Sequence, residues 1–90
     1  VAVRSEDVSV FSGEGLSNFS VVVGSFSVRA NAEGQAQQLR SAGYSSRVVY
    51  NSQRNLYRVV ASTFATKAEA AQSRNQLRGQ YPDAWLLYQK

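Results

Sequence analysis

The side chains in this sequence that could do chemistry are mostly arginines. Eight of the ten basic residues are Arg, and the 90 residues include no His and no Cys. The guanidinium group is planar and binds carboxylates or phosphates through paired hydrogen bonds, so this composition favours recognition of an anion. The lack of His and Cys excludes Ser-His-Asp triads, thiol nucleophiles and ordinary zinc sites. We expect no metal and no cofactor.

The carboxylates do not form an evident catalytic pair. Beyond residue 18 only Glu33, Glu69 and Asp83 are acidic. The two glutamates fall in the first turns of predicted helices, where the helix dipole accounts for them, and Asp83 follows Pro82 in a predicted turn. Neither a Walker loop nor a G-x-G-x-x-G pattern occurs. The sequence therefore predicts a binding module and not an enzyme.

Charge is distributed unevenly along the chain. Residues 1–18 hold one basic and three acidic side chains, a net charge of −2, whereas residues 19–90 hold nine basic and three acidic ones, a net charge of +6. A basic domain of this size could bind nucleic acid, anionic lipid or an acidic polymer, or could simply have a basic soluble surface. No apolar run approaches the roughly 18 residues that a membrane span needs.

An internal repeat organises the chain. FSVVVGSFSV at 19–28 is echoed by YRVVASTF at 57–64, and Gln38-Leu39-Arg40 is repeated as Gln76-Leu77-Arg78. Each half, 19–51 and 55–89, predicts a strand, a helix and a strand. The strands are expected at about 19–28, 44–51, 55–62 and 84–89.

Capping signals place the two helices between these strands. Asn31 is the expected N-cap of the first helix and Gly43 its C-terminal signal. Thr66 and Glu69 form a capping box at the start of the second helix. The prediction is an α+β fold of βαββαβ order, the ferredoxin-like split-βαβ, with a four-stranded antiparallel sheet and two helices on one face. Residues 1–18 are expected to be a linker or an extra edge strand, and the domain proper to span 19–90.

Strand alternation separates the two faces of this predicted sheet. Tyr57, Val59 and Ala61 should face the helices, which leaves Arg58, Val60 and Ser62 on the open face. By the repeat and by alternation, the same face should also carry Ser20, Val22, Gly24, Arg47, Val49, Trp85 and Leu87. An exposed sheet with an apolar floor, two arginines and the only Trp indicates a binding surface. The alternative is that the N-terminal segment or a partner domain covers it.

A glycine marks the end of the first strand on this face. Gly24 permits a bulge or a close backbone approach. A bulge there would turn Ser25 towards the open face.

These residues resemble a SPOR domain (sporulation-related repeat). The resemblance rests on VVVGSF at 21–26, Leu56-Tyr57-Arg58-Val59, Phe64 and the closing Ala84-Trp85-Leu86-Leu87. It covers about residues 19–88, and the Ala-Trp-Leu-Leu ending is similar to Bacteroidetes-type members. The resemblance implies non-catalytic binding of peptidoglycan, specifically of GlcNAc-MurNAc strands that lack stem peptides. It also implies targeting to the division septum.

The resemblance further implies a site and a location. The expected glycan-binding residues are Val22, Ser25, Arg29, Arg47, Arg58, Val60, Ser62 and Trp85. Val22 stands where many members have Gln, and Ser62 where they usually have Gly. The expected location is the periplasmic side of the bacterial cell envelope, in a fragment of a larger exported or membrane-anchored protein. Cell-division proteins are expected as further partners.

Two other functions remain open on the sequence alone. An RRM-like nucleic-acid binder shares the βαββαβ order, but YRVVASTF lacks the RRM signature and its pair of stacking aromatics. A protein-interaction module that recruits a cell-division partner through the sheet is the other alternative.

Overall fold

The computed structural model describes residues 2–13 and 15–89. The described chain forms six strands and two helices, an α+β fold. They are β1 (Val3–Ser5), β2 (Ser9–Ser12), β3 (Phe19–Phe26), α1 (Arg29–Ser41), β4 (Arg47–Asn51), β5 (Leu56–Phe64), α2 (Lys67–Leu77) and β6 (Trp85–Tyr88). Of the described helices, none is long and apolar enough to cross a membrane.

The strands form one mixed sheet in the order β1-β6-β3-β5-β4-β2. Its four inner strands are antiparallel neighbours, as the βαββαβ pattern predicts. The prediction of a sheet with only four strands, all antiparallel, is wrong. β1 pairs parallel with β6, and β2 pairs antiparallel with β4. These two short strands cover edges whose N–H and C=O groups would otherwise lack partners in the sheet.

Local signals explain three of the four helix ends. Gly43 has φ of 100°, its N–H donates to Arg40 O, and the N–H of Tyr44 donates to Leu39 O, so α1 ends at the predicted Gly43, in a Schellman arrangement. At α2, the N–H of Glu69 donates to Thr66 Oγ1 over 3.3 Å, which confirms the predicted cap. The chain turns away after Leu77, shortly before Pro82.

The predicted start of α1 is wrong. Its N-cap is Val28, which makes no side-chain cap bond. The carbonyl of Val28 already accepts hydrogen bonds from the N–H groups of Asn31 and Ala32. Asn31 therefore lies inside the first turn and cannot cap it.

Both helices lie on one face of the sheet and build the main core. Small side chains on the helices let them approach the sheet closely, and valines and leucines of the strands fill the layer between. The buried members are Val21, Ala32, Ala36, Leu39, Val48, Val59, Ala61, Ala70, Leu77, Ala84 and Leu86.

Two register shifts between β3 and β5 change which residues face the helices. Val21 pairs with Ser62 and Val22 with Val60, so Ala61 is an extra residue; Gly24 then pairs with Val59, so Val23 is extra. The shifts turn Gly24 and Ser62 to the helix side, where alternation had not placed them. A Cβ at Gly24 would meet the side chain of Gln35 on α1.

The face opposite the helices is covered, not open. Val22, Val49, Val60 and Leu87 form a second cluster and are each 0% exposed, with Val8, Leu16 and Trp85 packed against them. The expectation of an open sheet is therefore wrong, and the alternative of a covering N-terminal segment is what the structure shows. The physical reason is the apolar floor, since each Å² of such surface kept from water is worth about 25 cal/mol.

Candidate functional site

Arg58 on β5 is the charged centre of the covered face. It is 4% exposed, and all three nitrogens of its guanidinium are engaged. Nη1 donates to Ser25 Oγ over 2.6 Å, whereas Nε and Nη2 donate to the two carboxylate oxygens of Glu6 over 3.2 and 2.9 Å. This paired arrangement is the one in which arginine binds carboxylates most specifically. Arg58 thus binds a carboxylate in this structure, and Glu6 of the same chain supplies it.

The environment of Glu6 favours its ionised form. Burial acts to raise its pKa, but hydrogen bonds from Arg58 and Asn51 and the charges of Arg58 and Arg4 outweigh burial, so that the pKa lies below the ordinary value of 4.5. The carboxylate is thus charged and engaged at neutral pH. A carboxyl group in that state is a poor general acid or base.

Trp85 on β6 lies beside Arg58 and completes this surface. The Arg58 guanidinium carbon is 5.1 Å from the centre of the Trp85 ring. The guanidinium of Arg4 lies closer, at 3.5 Å over the same ring, which is a cation–π stack. The flat ring face is therefore in contact with a residue of the N-terminal segment.

Five of the eight predicted site residues come together here. Ser25 pairs with Arg58 across β3 and β5, and Val22 pairs both with Val60 on β5 and with Trp85 on β6. The two valines form the floor under Val8 and Leu16. We call the set of Val22, Ser25, Arg58, Val60 and Trp85 the central face.

Arg47 lies on the same side of the sheet, at the start of β4. It pairs with Val60 across β4 and β5 and is 7% exposed. Its Nη1 donates to the carbonyl of Ser45 over 2.7 Å. Gly13 packs on its side chain closely enough that a Cβ there would lie 3.0 Å from Arg47 Cγ. The N-terminal segment thus covers this arginine as well.

The other two predicted site residues lie elsewhere. Ser62 faces α2, where its Oγ is 2.9 Å from Ser73 Oγ. Arg29 begins α1, and its guanidinium carbon is 5.2 Å from the ring of Phe11 on the β2 edge. Neither reaches the central face.

Sequence reasoning missed the residues that contact the central face from residues 1–18. Arg4, Glu6 and Val8 were not predicted to take part, although they occupy alternate positions and so point to one side of an extended segment. Alternation together with the opposite net charges of residues 1–18 and 19–90 is the signal that could have indicated them.

A polar pocket of about 400 Å³ adjoins the Glu6–Arg58 pair. It is lined by Arg4, Ser5, Glu6, Asp7, Asn51, Gln53 and Arg54. Within residues 2–13 and 15–89, His, Cys, Asp and Glu side chains do not gather in a group of three that could hold a metal ion.

Comparison with known proteins yields one match, to a family. No curated protein and no solved structure matches the chain. The family model for the SPOR domain matches residues 15–88, which is nearly the whole chain. The chain therefore belongs to the SPOR domain family, whose members are peptidoglycan-binding modules.

Proposed function

We propose that this SPOR domain binds peptidoglycan glycan strands that lack stem peptides, without catalysing a reaction, and that the central face is the binding surface. The observation that carries the proposal is the paired hydrogen bonding of Arg58 to a carboxylate. In peptidoglycan the lactyl carboxyl of muramic acid is free only where the stem peptide has been removed. A site built for a carboxylate thus favours strands without stem peptides.

The neighbours of Arg58 suit the rest of a sugar. Trp85 offers a flat ring against which the C–H face of a pyranose can pack, and the Ser25 hydroxyl can exchange hydrogen bonds with sugar hydroxyl or acetamido groups. Val22 and Val60 give an apolar floor. In this proposal the amide contact that many family members make at the position of Val22 is replaced by packing.

Location and partners follow from the same proposal. Strands without stem peptides mark wall that is being remodelled, so binding would bring the protein that contains this domain to the division septum, on the periplasmic side of the cell envelope. Further cell-division proteins are proposed as partners. SPOR domains occur in cell-envelope, division-related proteins, which supports this location.

Co-sedimentation with purified sacculi tests the proposal. Wild-type protein should sediment with sacculi digested by an amidase and much less with undigested sacculi. Arg58→Ala and Trp85→Ala should each reduce the bound fraction, and Arg47→Ala tests whether the second arginine contributes. Arg78→Ala is the matched control, because Arg78 is exposed at the end of α2 on the other side of the sheet.

Three results would count against this proposal. One is a bound fraction that amidase digestion does not increase. A second is unchanged binding by both Arg58→Ala and Arg47→Ala, which would remove the carboxylate role. The third is binding to nucleic acid that weakens steeply with salt while wall binding is absent, since counterion release gives that dependence. A stoichiometric complex with a division protein, without sedimentation with wall, would favour the protein-interaction alternative.

A further inference from the structure

Three alternate residues of the N-terminal segment each contact one chemical feature of the central face. Arg4 stacks on the Trp85 ring, Glu6 binds the Arg58 guanidinium, and Val8 packs on the valine floor. A glycan bound here would meet the same three features with a sugar ring, a carboxylate and apolar C–H groups. The segment therefore makes the contacts that the proposed ligand would make.

The path of the chain places this segment across the site. β1 lies at the β6 edge of the sheet and β2 at the opposite, β4 edge, so residues 6–8 pass over the face between them. Val8 and Gln89 hold this crossing in place, since the Val8 carbonyl accepts a hydrogen bond from Gln89 Nε2. A ligand cannot reach Arg58 while the crossing is in place, because Glu6 and Arg58 side chains are only 8% and 5% exposed.

The anchors at the two edges are short. β1 pairs with β6 at three residues, and the pairing of β2 with β4 is interrupted by a register shift between Val10 and Ser12. Val10 and Phe11 are 39% and 44% exposed. Segments with few buried contacts and short ladders open at lower free energy than the rest of a fold.

The N-terminal segment differs from the domain that it covers in its net charge, and it lies outside the residues that match the family. Residues 1–18 carry a net charge of −2 against +6 for residues 19–90, so the segment has the sign of an anionic ligand. The family match begins at residue 15. Arg4, Glu6 and Val8 therefore lie outside the part of the chain that the family shares.

We infer that residues 3–12 are a displaceable cover, in which the Glu6 carboxylate occupies the place of the muramyl carboxylate until a glycan strand replaces it. This inference rests on the proposed function. At Arg58 the ligand carboxylate makes the hydrogen bonds that the Glu6 carboxylate gives up. At Trp85 a sugar face takes the place of the Arg4 guanidinium on the ring. What the ligand must offset is the loss of the two edge ladders, of the Val8 contact and of the Phe11 contacts with Tyr57 and Arg29. The cover thus sets the apparent affinity of the site.

Binding of peptide-free glycan oligosaccharides, measured by titration calorimetry on the full chain, tests the cover. Glu6→Gln keeps the size of the side chain but removes its charge, which weakens the contact with Arg58. The state in which residues 3–12 are displaced and the central face can bind glycan then becomes more populated, so the apparent Kd should fall about tenfold. Asp7→Asn is the matched control: it makes the same change of charge one residue away, at an exposed position. It should leave the Kd within about twofold of wild type.

A second variant and a second measurement guard against a local folding defect in Glu6→Gln. Val8→Ser weakens the apolar contact of the cover and should also lower the Kd. In the wild type, saturation with the same oligosaccharides should speed hydrogen exchange of the β1 and β2 amides while β3 and β5 stay protected. Both results would support displacement of residues 3–12.

The outcomes separate the two proposals. If wild type binds but neither Glu6→Gln nor Val8→Ser binds more tightly than Asp7→Asn, and exchange in residues 3–12 does not change, the cover inference is wrong and the proposed function stands. If wild type, Glu6→Gln and Val8→Ser all fail to bind the oligosaccharides, the proposed function itself is wrong, and the cover inference falls with it.

Discussion

Both faces of the sheet are buried, but they are covered in different ways. Val59 and Val60 are neighbours in the chain, point to opposite faces, and are both 0% exposed. Over Val59 lie α1 and α2; over Val60 lies an extended segment held by short edge strands. The two buried arginines of the described chain, Arg47 and Arg58, are both on the second face. Burial alone therefore does not distinguish a structural core from a covered site; the nature of the cover and the buried charges do.

The largest expected difference comes from truncating the two neighbouring valines. Val59→Ala should lower the free energy of unfolding by about 2–3 kcal/mol, because the helices cannot close the cavity completely. Val60→Ala should cost about 1–2 kcal/mol, because the extended cover can settle into the space. Urea titration of both variants, with exposed Gln37→Ala in α1 as control, measures this. Equal losses would mean that the two covers are equally rigid.

A pH titration addresses the ion pair on the second face. The folded-state pKa of Glu6 is lowered from 4.5, so its contribution to stability is fully present above about pH 4.5 and is lost as the pH falls through the lowered value. Glu6→Gln leaves Arg58 without its charged partner and should cost about 1–3 kcal/mol at neutral pH. The groups that face Glu6 are Arg58, Arg4 and Asn51.

The measurement compares wild type and Glu6→Gln by urea titration at about pH 7 and at about pH 3. The difference between them should shrink as the pH falls through the lowered pKa of Glu6, because the wild-type carboxyl then becomes protonated. Asp7→Asn supplies the control for the overall charge. Equal free energies of unfolding for wild type and Glu6→Gln at about pH 7 would show that the pair contributes nothing to stability.

A smaller effect on the helix side follows from Gly24, which lies against α1. A Cβ at this position would meet Gln35 Oε1, which is the far end of a flexible side chain, and would lie 3.1 Å from Phe26 Cε2. Gly24→Ala should therefore cost only about 1 kcal/mol. Gln35→Ala added to it should recover most of that loss, as urea titration of the single and double variants would show. If Gly24→Ala alone were neutral, and the double variant no better, the close packing of β3 against α1 would be in doubt.

The smallest effect separates the two helix N-termini. Thr66→Ala removes the hydroxyl that accepts from the N–H of Glu69. It should lower the free energy of unfolding by about 1 kcal/mol, which is measured as a lower midpoint of thermal unfolding. Asn31→Ala should change stability by less than about 0.5 kcal/mol, because Asn31 lies within the first turn of α1. A loss at Asn31 as large as that at Thr66 would contradict the position of the α1 start.

The sequence predicts much of the helix side because its signals are local. The repeat, the helical spacing of Ala32, Ala36 and Leu39, and the Gly43 and Thr66 signals all act within a few residues, and the structure confirms the four inner strands and both helices. Among the helix-end signals, only the cap at Asn31 failed. A turn of helix that forms without a side-chain cap leaves little trace in sequence.

The other face was predicted less well because it depends on distant partners. Alternation along β5 cannot show that Ala61 is extra, since the shift exists only relative to β3, about 40 residues earlier in the chain. Ser62 and Gly24 were misassigned for that reason. Likewise, no local signal in residues 3–12 indicates that they cross the sheet to Arg58. The contact between Glu6 and Arg58 joins residues 52 positions apart in the sequence.

The direct connection from β2 to β3 through residues 13–18 means that Glu6 stays tethered to the domain when the cover is displaced. A tethered group competes at an effective concentration of the order of millimolar, which dilution of the protein does not lower. To replace Glu6, a soluble saccharide must be present at a sufficient concentration. That concentration divided by the saccharide Kd must exceed the effective concentration of Glu6 divided by the Kd of Glu6 for Arg58. The tether thus sets a threshold of ligand concentration that does not depend on how dilute the protein is.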